Sequence, residues 1–517
     1  SFTGVLNTFS GNTIWVEGTG EPHEAGIILS DDVGTIIEGG ILDGNCPAGV
    51  SIYSGKGQRL SNTSILDYPD VGIEFIPDQL DWNLYEVGQV FINRCSFTNT
   101  RMGVDLFSCK ALVERSVFQN ISSYGIIAER CDNIQVIANG FGGVHTPIIL
   151  RESSTPWIEH NLISGAQTSG IALESSNPHI RNNTILNCTY GIRIENAEDS
   201  DIMHNDIKNN GIGISIEYSD DVSISTCEIC GSNTQVGIKI SSSNGCTIDL
   251  NKINGSYNGI LFITVTDSLV SNNMFTWCVK EAITVVSGSN NRLFHNNFIY
   301  NNYNASSVFY YGPQTVDYTL NDVWDDGDLG NYWSDFQEKY PNAIALGSVW
   351  DTPYLVAGTN NLQDRFPLVN LLDLFPPNAN AGLDQTVNQN TTVILDGSMS
   401  SDDVGIIAFQ WTFVYDDHTI VLNGSVVSFT YDYPGVYHIL LMVTDGEYRT
   451  SVDSVMITVI DTQSPVANAG KDIQVGMGED FTLDGSLSRD NAGLVTYIWT
   501  LDPFGQDVIF SEPSATY

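Results

Sequence analysis

Basic residues are scarce in this sequence: 20 Lys and Arg stand against 61 Asp and Glu, a formal net charge of −41. Phosphate backbones need a cationic footprint, so nucleic acid is excluded as a partner, and anionic membrane surfaces with it. Such acidity fits a salty or calcium-containing exterior, where cations screen the repulsion. Long apolar runs are missing too. No stretch of 18 apolar residues occurs, so nothing reads as a membrane-spanning helix. The opening SFTGVLNTFSGNTIWVEG has no signal-peptide pattern and already reads as strand and turn, as expected of a mature or trimmed N-terminus. The nine cysteines make no disulfide framework, being odd in number and ending at Cys278. Cys109 and Cys131 are expected as stacked buried thiols, and the Cys227-x-x-Cys230 pair lacks the second pair a zinc site needs. GxSxG, HExxH and glycine-rich phosphate loops are absent as well.

What is present is a repeat. A glycine or small residue precedes a β-branched one at Gly26-Ile27, Gly49-Val50, Gly72-Ile73, Gly103-Val104, Gly125-Ile126 and onward to Ala282-Ile283, mostly at 21- to 24-residue steps. The one long step, 72 to 103, holds an insertion around PDQLDWNLYE. In parallel, Asn-x-Ile/Phe recurs at Asn139, Asn161, Asn183 and Asn205 in steps of 22, then at Asn251, Asn273 and Asn296. Short alternating runs such as GIRIEN, with no helical interval, stack as coils of a solenoid. The recurring Asn is expected at one turn, tolerating a left-handed backbone and passing an amide hydrogen bond to the next coil. About twelve coils at ~4.8 Å spacing give a rod of roughly 55–60 Å. The spacing thus predicts an all-β protein: a right-handed parallel β-helix over 1–316, closed by a C-terminal cap over 317–372, where aromatics and Asp crowd together.

The segment NDVWDDGDLGNYWSDF…WDTPYLV…DRFPLV, with the coils before it, resembles the NosD-like β-helix family, also called carbohydrate-binding and sugar-hydrolase repeats. Archaeal surface proteins often carry such repeats. The likeness covers residues 1 to about 372 and implies the fold; that fold hosts binders, lyases, epimerases and stalks. The family's Asp-rich loop between GNYWSD and DTPY is replaced here by FQEKYPNAIALGSV. The copper role of the family's namesake needs soft ligands, and no Met/His/Cys cluster appears in the sequence.

Beyond LLDLFPP, NANAGLDQTV (378–387) matches VANAGKDIQV (466–475), LDGSMSSDD matches LDGSLSRDN, and Trp411 matches Trp499, all 88 residues apart. ANAGxD…LDGSxSxD…W…YDYPGVYHILLMVTDG resembles the PKD domain, an immunoglobulin-like sandwich, over 373–461, with a second copy over 462–517. Trp411 is expected in the core and YPG at 433–435 as the turn before the penultimate strand. The second copy lacks the last two strands, the expectation for a fragment of a longer chain.

On the strand after each repeat glycine, the second and fourth residues face outward. The fourth-residue column reads Phe107, Glu129, Arg151, Glu174, Glu195, Glu217, Ser241; the second contributes Asp105, Arg193 and Lys239. Stacked glutamates repel unless cations neutralise them. An enzyme of this fold would use Glu174, Arg193, Glu195 and Glu217 as its catalytic groups, with calcium acidifying the proton beside a uronate carboxyl and a base removing it. The competing reading is a solvated face of ion pairs, each worth ~0–1 kcal/mol. The sequence places no aromatic platform for sugar on this face, since Trp157, Trp277 and Tyr257 scatter across registers, and the histidines sit mostly at turns. Asp325, Asp326, Asp328, Asn331 and Asp335 in the cap are candidate calcium ligands, being oxygen donors bunched around glycine. Asp402, Asp403 and Asp490 in the sandwiches are weaker ones. Asn62, Asn120, Asn182, Asn187, Asn254, Asn304, Asn390 and Asn423 begin glycosylation sequons.

Three functions remain open. A non-enzymatic extracellular or cell-surface protein, structural or adhesive, self-associating or binding other surface proteins, is favoured by the tandem modules. A calcium-dependent polysaccharide lyase, epimerase or glycoside hydrolase and a pure carbohydrate-binding module are the alternatives.

Overall fold

The structure, a computed structural model, describes residues 8–16, 25–29, 32–33, 36–44, 47–52, 55–75, 89–231, 233–304, 309–310, 312–493, 496–501, 508–510 and 512–516. The insertion around PDQLDWNLYE and Cys46 lie outside them. The chain divides into two units, Ser1–Leu372 and Asp373–Tyr517.

The first unit is a parallel β-solenoid. A typical coil contributes one longer strand, such as Ser169–Glu174, and two three-residue strands, such as His179–Arg181 and Thr184–Leu186. Twelve longer strands, from Ala25–Leu29 to Ile283–Ser289, stack in parallel, and Thr315–Asp317 and Ala357–Gly358 of the cap extend the same sheet. The two-residue alternation seen in the sequence places every second side chain inside. Ile171, Ile192, Ile214 and Ile238 stand in register and are fully buried. Aromatic rings stack along the same axis, from Phe275 to Phe298, Trp333 and Tyr354, at centroid spacings of 5.3, 4.5 and 3.9 Å, so the cap plugs the coil end with apolar surface. Cys109 and Cys131 are stacked buried thiols with sulfurs 3.8 Å apart, as expected.

The repeat glycine answers to close coil approach. A Cβ on Gly191 would lie 2.5 Å from the carbonyl oxygen of Gly213 and 2.9 Å from Ile207 Cγ2. Gly191→Val should therefore force the coils apart, lowering the local opening free energy by about 1–3 kcal/mol. Hydrogen exchange of Tyr190–Glu195 and Ile212–Glu217 reads this directly, and unchanged protection would refute it.

Three polar columns run inside the turns. In the asparagine column, the N–H of Asn139 donates to Asn161 Oδ1, Asn161 to Asn183, Asn183 to Asn205, Asn251 to Asn273 and Asn273 to Asn296, at 2.9–3.0 Å. Each Nδ2 also donates to a carbonyl of the preceding coil, as Asn183 does to Ile158 at 2.9 Å. Cys227 interrupts the column. The left-handed backbone falls one residue earlier than expected, on Ala138, His160, Asn182, His204, Thr226, Leu250, Asn272 and His295, with φ between 51° and 59°. The ladder Asn supplies the bonds and its predecessor makes the bend.

Each column ends on an aspartate of the cap. Asn296 passes to Asn331, whose N–H donates to Asp364 Oδ2 at 2.7 Å. Cys246, Ser268 and Asn291 form a second column, closed by Asp322 Oδ1 at 2.9 Å. Cys278, Asn301 and Gln314 form the third, in which Gln314 Nε2 donates to Asp335 at 2.7 Å. An aspartate suits this place because its carboxyl oxygens supply acceptors, so the last amide of each column meets one.

In the second unit, Gln385–Asn388, Thr450–Ile460, Gly435–Asp445, Ile406–Tyr415 and His418–Asn423 form a five-stranded sheet, and Thr391–Asp396 pairs with Val426–Tyr431. Trp411 is fully buried in the core between them, its Nε1 donating to Gly424 O at 3.0 Å, and the YPG turn opens the strand before the last, as the sequence predicts. In the second copy Trp499 repeats that bond, to Glu512 O at 3.1 Å.

Candidate functional site

The outward column on the long-strand sheet brings together the residues singled out by sequence. Arg151, Glu174, Glu195 and Glu217 are successive register partners, with Arg193 and Lys239 two residues before the Glu195 and Ser241 positions. The three stacked glutamates do not stand unneutralised. Arg151 Nε lies 3.0 Å from Glu174, Arg193 pairs with Glu195, and Lys239 Nζ lies 2.7 Å from Glu217. The Lys239 bond draws the Glu217 carboxyl below its ordinary range despite partial burial. Each candidate base is thus a half-exposed cation held by its own carboxylate. Chemically, the strip is a row of paired charges.

The sheet also joins Asp105 to Glu74, direct register partners on neighbouring coils. Burial first, and the Glu74 charge second, push the Asp105 carboxyl up to about 6. Sequence reading missed Glu74, although Gly72-Ile73 belongs to the repeat and places Glu74 at the outward second position. The aromatics are less scattered than expected. Trp157 lies 4.6 Å from His179, and Trp277 stacks on Tyr300 at 4.9 Å, in both cases one coil apart, with Trp277 and Tyr300 exposed. The coil period applied to rings, 22 and 23 residues, was the signal that could have found them.

The five cap residues read as calcium ligands are not gathered into one shell. Asp325 is buried and held by Arg365, Nη2 at 2.6 Å and Nε at 3.0 Å. Asp326 takes the N–H groups of Asp328 and Leu329 and faces His295 at 3.0 Å, while Asp328 is exposed. Asn331 belongs to the asparagine column, and Asp335 accepts from Gln314 and from Tyr354 Oη at 2.9 Å. Composition suggested a metal loop; of the five, only Asn331 and Asp335 serve the polar columns, while Asp325 answers to Arg365 and Asp326 to its own turn and His295. Of the sequon asparagines, all are exposed except Asn304, whose side chain lies outside the described residues.

Residues 81–226 match the family model described as periplasmic copper-binding protein (NosD), residues 190–328 a right handed beta helix region, and residues 375–459 a PKD domain. The first unit is therefore a right-handed parallel β-helix, NosD-like over residues 81–226, and an immunoglobulin-like PKD module follows it, with the build of a surface protein. Among curated proteins, it is 36% identical over 134 residues to the mouse (Mus musculus) dyslexia-associated protein KIAA0319 homolog, covering 24% of this chain and 12% of that one. Human (Homo sapiens) low-density lipoprotein receptor-related protein 11 is 32% identical over 89 residues, 16% of this chain and 18% of that one. The chain thus spans a small part of these relatives. A bacteriophage CBA120 tailspike protein 3 structure covers 62% of this chain and 61% of its own at 11% identity and a TM-score of 0.38, a likeness that transfers no chemistry. The chain is extracytoplasmic, in keeping with the extracellular or cell-surface location expected from its sequence, and no helix among the described residues is long and apolar enough to cross a membrane.

Copper does not fit the residues described. It favours imidazole and sulfur, whereas seven of the eight described cysteines are buried and Cys230 is partly so. Among the described residues, the group of potential ligands that does come together is Asp373, Asp402 and Asp445, all hard oxygen donors.

Proposed function

We propose that this chain is a structural or adhesive component of a cell surface, in which a stiff β-helical rod is carried with PKD modules and associates with copies of itself or with other surface proteins. The observation that carries this reading is the set of three internal polar columns, each closed by a cap aspartate. They add directional bonds between coils beyond the strand ladders, which is how a thin solenoid resists bending and fraying. Calcium is the cation this reading expects at so acidic a surface, and the exposed sequons offer glycan attachment.

The test is a calcium titration of the chain, following particle growth by light scattering and the breakdown of acidic polysaccharides in the same samples. Growth without breakdown is the expected result. Unsaturated or shortened sugars, lost in Arg193→Ala or Glu195→Gln chains, would overturn it in favour of the lyase, epimerase or hydrolase reading. A carbohydrate-binding role has one observation of its own, the exposed Trp277–Tyr300 stack, because aromatic faces pack against pyranose rings. Retarded migration in polysaccharide-containing gels, abolished by Trp277→Ala, would establish it.

A further inference from the structure

We propose that Asp373, Asp402 and Asp445 of the first sandwich form a calcium site in which Arg449 is a resident counter-ion that the metal displaces. One oxygen from each carboxylate lies within 4.8 Å of the others. Two ligands on opposite sides of a calcium ion at about 2.4 Å stand about that far apart. Asp445 is fully buried, and its Oδ1 takes the N–H groups of Glu447 and Arg449 at 2.9 and 2.8 Å. Asp402 is set by its own turn, Oδ2 accepting from Val404 at 3.1 Å and Gly405 at 2.7 Å.

Two oxygens in the cluster have no partner. The Asp373 side chain is 7% exposed, and its Oδ2 is buried without a hydrogen bond, as is Oδ1 of Asp402. Asp373 Oδ2 faces Gly446, where even a Cβ would sit 3.5 Å away. Partnerless carboxylate oxygens cut off from water carry a desolvation penalty that only a cation or a proton relieves. Arg449 relieves part of it, pairing with Asp373 and, through Nε at 2.8 Å, with Asp445. That leaves three negative charges against one positive, a deficit that a dication fills. Hard oxygen donors of irregular geometry suit calcium better than the smaller, octahedral magnesium. Two of the three aspartates recur 88 residues on. Asp461 and Asp490 occupy the places of Asp373 and Asp402, and Asp490 Oδ1 is again buried and partnerless.

This inference is independent of the structural role proposed above; an enzyme would carry the same site. The test is hydrogen exchange of the full chain with and without calcium chloride in high-potassium buffer, following peptides spanning 400–405 and 445–451. Calcium is expected to protect both. Asp402→Asn, which keeps an acceptor for its turn, should weaken the calcium dependence of that protection at least about tenfold. Arg449→Gln should leave it intact or shift it to lower calcium, with Arg449→Lys replacing it if strand Gly435–Asp445 is unprotected in the glutamine chain. Equal protection in wild type and Asp402→Asn would overturn the site. Weaker calcium dependence in the Arg449 variant would overturn the displacement, and protection by magnesium chloride alone the choice of ion. Particle growth that survives Asp402→Asn separates this site from the assembly reading.

Discussion

Asn183→Ala is expected to lower the opening free energy of the coils around it by about 3–5 kcal/mol. Asn183 accepts from the N–H and Nδ2 of Asn161, both at 2.9 Å, and donates to Ile158 O, Arg181 O and Asn205 Oδ1 at 2.9–3.0 Å. Alanine leaves the Asn161 N–H without an acceptor in a dry interior, at about 1–3 kcal/mol, removes the side-chain bonds to the Ile158 and Arg181 carbonyls and to Asn205, and opens a small cavity besides. Its neighbour Asn182 is exposed and makes the bend with φ 53°, so Asn182→Ala should cost within about 1 kcal/mol. Hydrogen exchange is the right measurement, because a solenoid opens coil by coil and one global unfolding energy would blur the contrast.

The chain carries its own control. At Cys227 the column breaks: Asn205 Nδ2 keeps its bonds to the Ile180 and Met203 carbonyls, but where the next asparagine oxygen would stand it meets a sulfur at 3.9 Å. Burial pushes that thiol up to about 12, so it stays neutral and offers a poor acceptor. Cys227→Asn should restore the ladder and raise local protection by about 1 kcal/mol. Equal protection in wild type and Asn183→Ala would show that the column contributes no stability.

The coils were legible because their cause is periodic. A glycine that must admit the next coil's carbonyl and an asparagine that must reach the next asparagine both recur at the coil length, so Gly191 and Asn183 announce themselves in the sequence. The outward charges were legible as columns for the same reason, yet their pairing was not. Whether Arg193 serves as a free base or is held by Glu195 depends on rotamers, which no spacing encodes. The cap was misread for a different reason. Asp325, Asp326, Asp328, Asn331 and Asp335 lie close in sequence, but their partners Arg365, His295, Asp364, Gln314 and Tyr354 come from other parts of the chain. Conversely, Asp373, Asp402 and Asp445 are far apart in sequence and meet only when the sandwich closes.

Asp364 should make the cap sensitive to pH in a direction opposite to that of most salt-bridged carboxylates. It is fully buried and accepts from the N–H of Asn331 at 2.7 Å, Trp333 Nε1 at 2.9 Å and the N–H of Phe366 at 3.0 Å, against a glycine, Gly330, whose Cβ would collide with it. Those donors favour the carboxylate, but burial outweighs them and raises the group to about 7 from 3.8. Arg365 beside it is engaged with Asp325. A carboxyl whose folded value lies above its unfolded one binds more protons folded than unfolded between the two. Its stabilisation is therefore full below about 3.8 and is lost as pH rises through about 7. Between pH 5 and pH 8 the loss covers about two pH units, or about 3 kcal/mol of cap stability. Asp364→Ala should remove this slope and lower cap stability by about 3 kcal/mol or more at pH 5, since three donors lose their acceptor. The measurement is hydrogen exchange of peptides spanning 317–372, corrected for the intrinsic pH dependence of exchange. Cap protection that rises from pH 5 to pH 8, or a slope that persists in Asp364→Ala, would mean that the asparagine column ends on a permanent charge rather than on a group that can take a proton.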